Sequence, residues 1–79
     1  MNLLVIGVTE KHGRAWDLIC EVEGLSKITV DPFVSSAWPA RTDLERRAMI
    51  GKRFIMENFQ VAKDGCYLPE IFYEPTLPI

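Results

Sequence analysis

At 79 residues the chain holds one domain, near the lower limit at which a single hydrophobic core suffices. Its 48% hydrophobic and 25% charged residues are ordinary for a folded chain and exclude a disordered one. A formal charge of −2 excludes any global attraction to nucleic acid or anionic membranes, so recognition of a polyanion has to come from a local patch.

The opening MNLLVIGV is apolar but lacks a basic flank and runs straight into Glu10 and Lys11. It reads as a strand, Leu3 to Thr9, rather than a signal peptide, and no stretch reaches transmembrane length; the expected location is the cytoplasm. Lys11-His12-Gly13 supplies turn chemistry. RAWDLICEVE then alternates, with Trp16, Leu18, Cys20 and Val22 on one face and Asp17, Ile19, Glu21 and Glu23 on the other. That period of two predicts a second strand with one buried face and excludes a helix. Gly24 ends it.

A third strand begins at Ser26 and reaches Pro32, which removes a backbone donor and confines any continuation to an edge. PFVSSAWPAR is a predicted loop carrying Phe33 and Trp38. Thr42 with Glu45 three residues later forms a capping box opening a short helix, TDLERRAMI. Leu44, Ala48 and Met49 are spaced for its apolar face, and Gly51 stops it. Two turns do not persist alone, so the helix must dock.

Lys52 to Val61 resumes the strand pattern, Lys63-Asp64-Gly65 makes a turn, and Cys66 to Tyr73 forms the last strand, where Pro69 implies an edge or a bulge. The order of elements predicts a mostly β fold: a single small five-stranded OB-like barrel with one short helix between strands 3 and 4. A small α+β sheet with the helix across one face is the alternative. The expected core is Leu4, Ile6, Trp16, Leu18, Cys20, Val22, Ile28, Val30, Leu44 and Phe54.

Catalytic chemistry is sparse. The one histidine, His12, lies in a turn; there is no nucleophile elbow and no glycine-rich phosphate loop. Cys20 and Cys66 lack metal-ligand spacing and read as small buried hydrophobes, without a disulfide. The expectation is a protein that is not an enzyme and uses no cofactor or metal.

Charge is uneven along the chain. From Arg41 to Lys63 six basic residues (Arg41, Arg46, Arg47, Lys52, Arg53, Lys63) face three acidic ones (Asp43, Glu45, Glu57). The first hairpin tip adds Lys11 and Arg14 beside Trp16. Barrels of this kind bind single strands with cations that track phosphates and rings that stack on bases. Lys11, Arg14, Arg46, Arg47, Lys52, Arg53 and Lys63, with Tyr67 as a stacking ring, are therefore the candidate nucleic-acid-binding residues. The competing structural reading makes Arg46 and Arg47 the solvated face of the helix, paired with Asp43. It also makes Phe54, Phe59, Tyr67, Phe72 and Tyr73 core.

The hairpin KHGRAWDLICEV and the closing stretch GKRFIMENFQVAKDGCYLPEIFYEP resemble the corresponding parts of the small helix-destabilising proteins of filamentous phages. The resemblance covers most of the chain in element order, with no invariant string. It implies an OB-fold, a homodimer and cooperative, sequence-independent coating of single-stranded DNA. The net acidity and the few basic residues of the first half depart from that pattern. The second reading is a protein-interaction or regulatory module, phage-encoded or from a mobile element, that docks on a host protein through the same β surface and the apolar tail with Tyr73, Leu77 and Ile79.

Overall fold

The computed structural model describes residues 1–32 and 42–75. The predicted loop beyond Pro32, with Phe33, Trp38 and Arg41, and the tail positions Leu77 and Ile79 lie outside the described residues. Five strands and one helix follow in the expected order: β1 (Asn2–Lys11), β2 (Arg14–Val22), β3 (Ser26–Val30), α1 (Asp43–Ala48), β4 (Arg53–Val61) and β5 (Tyr67–Tyr73). The strands close into a ring ordered β1-β2-β3-β5-β4, the five-stranded OB-like barrel that the element order predicts. No helix among the described residues is long and apolar enough to cross a membrane.

The β1–β2 hairpin turns on His12 and Gly13, at φ 54° and 77°. Positive φ at both central residues is what a twist-matched two-residue turn needs, and glycine reaches it without a Cβ penalty. Pairing starts as Leu3–Val22, Leu4–Glu21 and Val5–Cys20, slips by one to Gly7–Ile19 and Val8–Leu18, then returns to Glu10–Ala15 and Lys11–Arg14. The first slip leaves Ile6 as an extra residue on β1. The second sets Trp16 and Asp17 against Thr9 alone, and the Asp17 N–H donates to Thr9 Oγ1 at 2.9 Å. Each bulge shifts the inward phase of its strand by one.

That phase shift corrects the expected core. On β1, Leu3 and Val5 are buried and Val8 packs against them, while Leu4 is half-buried and Ile6 is exposed. On β2, Leu18 and Cys20 are buried as expected, but the inward position nearest the turn is Ala15, and Trp16 is 48% exposed. Leu44 is wrongly placed too: it points to solvent. The helix instead turns Arg46 and Met49 inward, one turn apart. Val30 and Phe54 are buried, Val22 and Ile28 pack partly against the core, and Met49, Met56 and Phe72 complete it. The rings of Phe54 and Phe72 pack 4.8 Å apart.

The helix begins as predicted. Thr42 caps it, with Oγ1 accepting from the Glu45 N–H at 3.1 Å and donating to Glu45 Oε1 at 2.8 Å. Gly51, at φ 88°, turns the chain out of the helix, and its N–H donates to the Val5 carbonyl at 2.7 Å. Val5 in turn donates to Lys52, extending the β1–β4 pairing of Asn2–Ile55 through Leu4–Arg53. The ring's narrowest seam is β3–β5, one parallel pair, Val30–Tyr67, reinforced by the Asp31 N–H on the Tyr67 carbonyl at 2.9 Å. Pro69 is buried and pairs with Phe59 without a register break. Its strand, β5, is well paired to β4 but meets β3 through a single pair, and that sparsely paired side is where a missing N–H is tolerated.

Candidate nucleic-acid interface

The site is built around Ala15, a buried residue whose small side chain lets α1 approach β2. Asp43 Oδ1 accepts the Ala15 N–H at 2.6 Å, and Arg46 Nη1 donates to the Ala15 carbonyl at 3.1 Å. One turn of helix thus satisfies both backbone polar groups of a strand residue, as a neighbouring strand would. The donated N–H is the main reason the Asp43 carboxyl lies below its usual range, and the adjacent Arg47 guanidinium lowers it further.

Next to this contact stands the outward-turned Trp16. The Lys11 ammonium lies 5.0 Å and the Arg46 guanidinium 5.7 Å from the centre of its ring system, both within cation–π range. These groups line a groove of about 610 Å³ with His12, Arg14, Asp31, Thr42 and Asp43. Three cations (Lys11, Arg14, Arg46) face two carboxylates (Asp31, Asp43) there. The groove offers an aromatic surface, exposed cations at its mouth and polar groups on the helix side, which suits a flat ligand bearing negative charge.

The candidate residues do not converge on one surface. Lys11, Arg14 and Arg46 meet in the Trp16 groove. Arg46 is buried, only 7% exposed, which corrects its expected place on a solvated helix face. Arg47 is taken by carboxylates: Nε reaches Asp43 Oδ1 and Oδ2 at 3.0 and 3.1 Å, and Nη2 lies 3.6 Å from Glu10. Its expected pairing with Asp43 is present. Arg53 lines a second, smaller groove of about 470 Å³ with Glu21, Glu23 and Phe54. It pairs with Leu4, seven strand residues from Lys11 and so roughly 20 Å away. Lys52 is exposed just before Arg53, and Lys63 is exposed in the β4–β5 turn. Tyr67 is half-buried at the β3–β5 seam, its ring 5.2 Å from that of Phe59.

Sequence reasoning did not assign Trp16, Ala15, Thr42 and Asp43 to the site. The cluster KHGRAW carried the signal for Trp16; the bulge that turns the ring outward has no signature in the alternation. Elsewhere, burial pushes the Cys20 thiol up to about 12 and the Cys66 thiol to about 11, where Asp17 adds to the rise. Both thiols are free. Burial also raises the Asp17 carboxyl, helped by Asp31 and Asp64. Among the described residues no group of three or more His, Cys, Asp or Glu side chains is arranged to hold a metal ion.

No protein family, curated protein or solved structure matches the chain.

Proposed function

We propose that this chain binds single-stranded nucleic acid without catalysis, in the groove around Trp16. The observation that carries the reading is the half-exposed indole beside the exposed Lys11 and Arg14 on one rim of an OB-like barrel. A base stacks on the ring, a contact of about 1–3 kcal/mol, and the two cations take flanking phosphates. Every base has a π-face, so this chemistry is tolerant of sequence. The net charge of −2 keeps affinity modest and confines attraction to this rim. The resemblance to the phage helix-destabilising proteins supports the same reading and adds single-stranded DNA as the strand bound and a homodimer as the working unit. The proposed location, the cytoplasm, rests on the opening strand, which lacks a signal peptide's basic flank.

The test is titration of a labelled oligothymidylate at several salt concentrations. Binding that weakens with salt, with a log–log slope of about 1.4 for two phosphate contacts on a single strand, supports the reading; no binding at low salt rejects it.

A second reading rests on a different surface. The β4–β5 hairpin exposes Phe59, Val61 and Tyr73, an apolar set suited to docking a protein partner such as a host protein. Salt would barely alter its affinity, which separates the two readings.

A further inference from the structure

We infer that the two cations on the Trp16 ring have different jobs: Arg46 is a positioning residue that fixes the indole as a stacking platform, and Lys11 is a mobile cap that leaves the ring for a phosphate when a base arrives. The inference rests on the reading of this groove as a nucleic-acid site and assigns its working parts.

The asymmetry lies in burial and anchoring. Arg46 is 7% exposed, sits on the helix and holds the Ala15 carbonyl at 3.1 Å. Leaving that position would break a hydrogen bond from a charged group inside the protein, which is costly. Its guanidinium therefore stays 5.7 Å from the ring whether or not the groove is filled. It backs the indole where the Thr9–Asp17 bulge has released it from the regular pleat. A phosphate oxygen needs N–H groups open to solvent, and Arg46 offers few.

Lys11 is the opposite case. It is exposed, ends β1 directly across from Arg14, and reaches the ring on a flexible four-carbon stem. An exposed ammonium–indole contact is weak and easily exchanged. An incoming base competes for the same ring, and the phosphates it brings are stronger partners for the ammonium than the indole is. Cap and ligand trade places, and the cation is already at the mouth of the groove when the phosphate arrives.

The two roles give different signatures. A positioning residue releases no counterions, so its removal lowers affinity at every salt concentration and leaves the salt slope unchanged. Removal of a phosphate-binding cation lowers the slope on a single strand by about 0.7. Trp38→Phe first leaves Trp16 as the sole indole of a chain that has two. In that background Arg46→Met, Arg46→Lys and Lys11→Ala are compared by acrylamide quenching of Trp16 without ligand and by oligothymidylate titration across salt.

Arg46→Met should raise quenching and weaken binding about tenfold with the slope intact. Arg46→Lys should fall between, since an ammonium lacks the planar group that backs the ring. Lys11→Ala should lower the slope by about 0.7. A slope reduced by Arg46→Met would make Arg46 a phosphate contact and overturn the assignment, as would unchanged quenching in both Arg46 variants. Should circular dichroism show Arg46→Met unfolded, Arg46→Lys carries the same two readings. Absence of binding by the wild type and the Trp38→Phe parent alike removes the nucleic-acid reading and the cap role with it; quenching of ligand-free Trp16 still decides the role of Arg46.

Discussion

Asp43 and Arg46 stand one helical turn apart and between them hold both backbone polar groups of Ala15. The six-residue helix is too short to persist alone, so this polar grip, with the buried Met49, docks it on the barrel. The grip is sensitive to acid. The folded-state value of Asp43 is lowered from its ordinary 3.8, so its contribution is fully present above that value and is lost as the pH falls through the lower folded value. Asp17 has the opposite sign. Its folded value is raised, so its charge opposes folding at neutral pH, and the penalty fades as the pH falls through that raised value toward 3.8. Urea midpoints of wild type and Asp43→Asn should differ at about pH 6 and converge below the folded value of Asp43. Asp17→Asn should be the more stable chain at about pH 7 and lose that advantage in acid.

Trp16→Ala should leave the urea midpoint close to that of wild type, because about half of the ring is already in water. Phe72→Ala should cost about 3–5 kcal/mol, since that ring is 1% exposed and packs on Phe54. A Trp16→Ala loss as large as that of Phe72→Ala would place the indole in the core and remove the platform.

Lys11→Ala with Arg14→Ala should weaken oligonucleotide binding and lower the salt slope by about 1.4, about 0.7 for each phosphate that no longer meets a cation. Lys52→Ala with Arg53→Ala should change affinity by less than about threefold, because that pair lies at the far end of β1, beside Glu21. Equal losses in the two double variants would mean that the strand tracks across both grooves.

The thiols should be slow toward disulfide reagents. With values pushed up to about 12 and 11, Cys20 and Cys66 carry almost no thiolate at about pH 8. Reaction with a chromogenic disulfide should be slow in buffer and fast in urea. Rapid labelling of the native protein would show that Cys66, at the start of the β4–β5 hairpin's return, opens to solvent.

The architecture was legible because punctuation and period agree. The His12-Gly13 turn, the Thr42 cap and Gly51 each mark a boundary that local backbone chemistry enforces. The orientation of individual side chains was less so. Leu3, Leu4, Val5 and Ile6 are all apolar, so nothing in that run says which parity faces inward, and Leu4 and Ile6 were the wrong pair. Leu44 looks like a core residue by type, yet the helix docks through Asp43, Arg46 and Met49, a pattern that hydrophobic spacing does not report. Lys11 and Arg14 were found by adjacency to Trp16. The separation of Arg53 from them depends on which end of β1 meets β4, a long-range pairing.

The two slips in the β1–β2 ladder cancel: the register that holds at Leu3–Val22 holds again at Lys11–Arg14. One strand carries its spare residue near Ile6 and the other near Trp16, so the hairpin keeps its turn while a middle block is out of phase. Each spare residue is therefore removable on its own. Deleting Ile6 should join Val5–Cys20 directly to Gly7–Ile19, and deleting Asp17 should join Val8–Leu18 to Glu10–Ala15 through Thr9 opposite Trp16, with every other pair unchanged. In the shortened β2 Trp16 still lies between the inward Leu18 and Ala15, so the ring stays on the outer face. Either strand of the hairpin can thus change length by one residue without the other, and without loss of the platform.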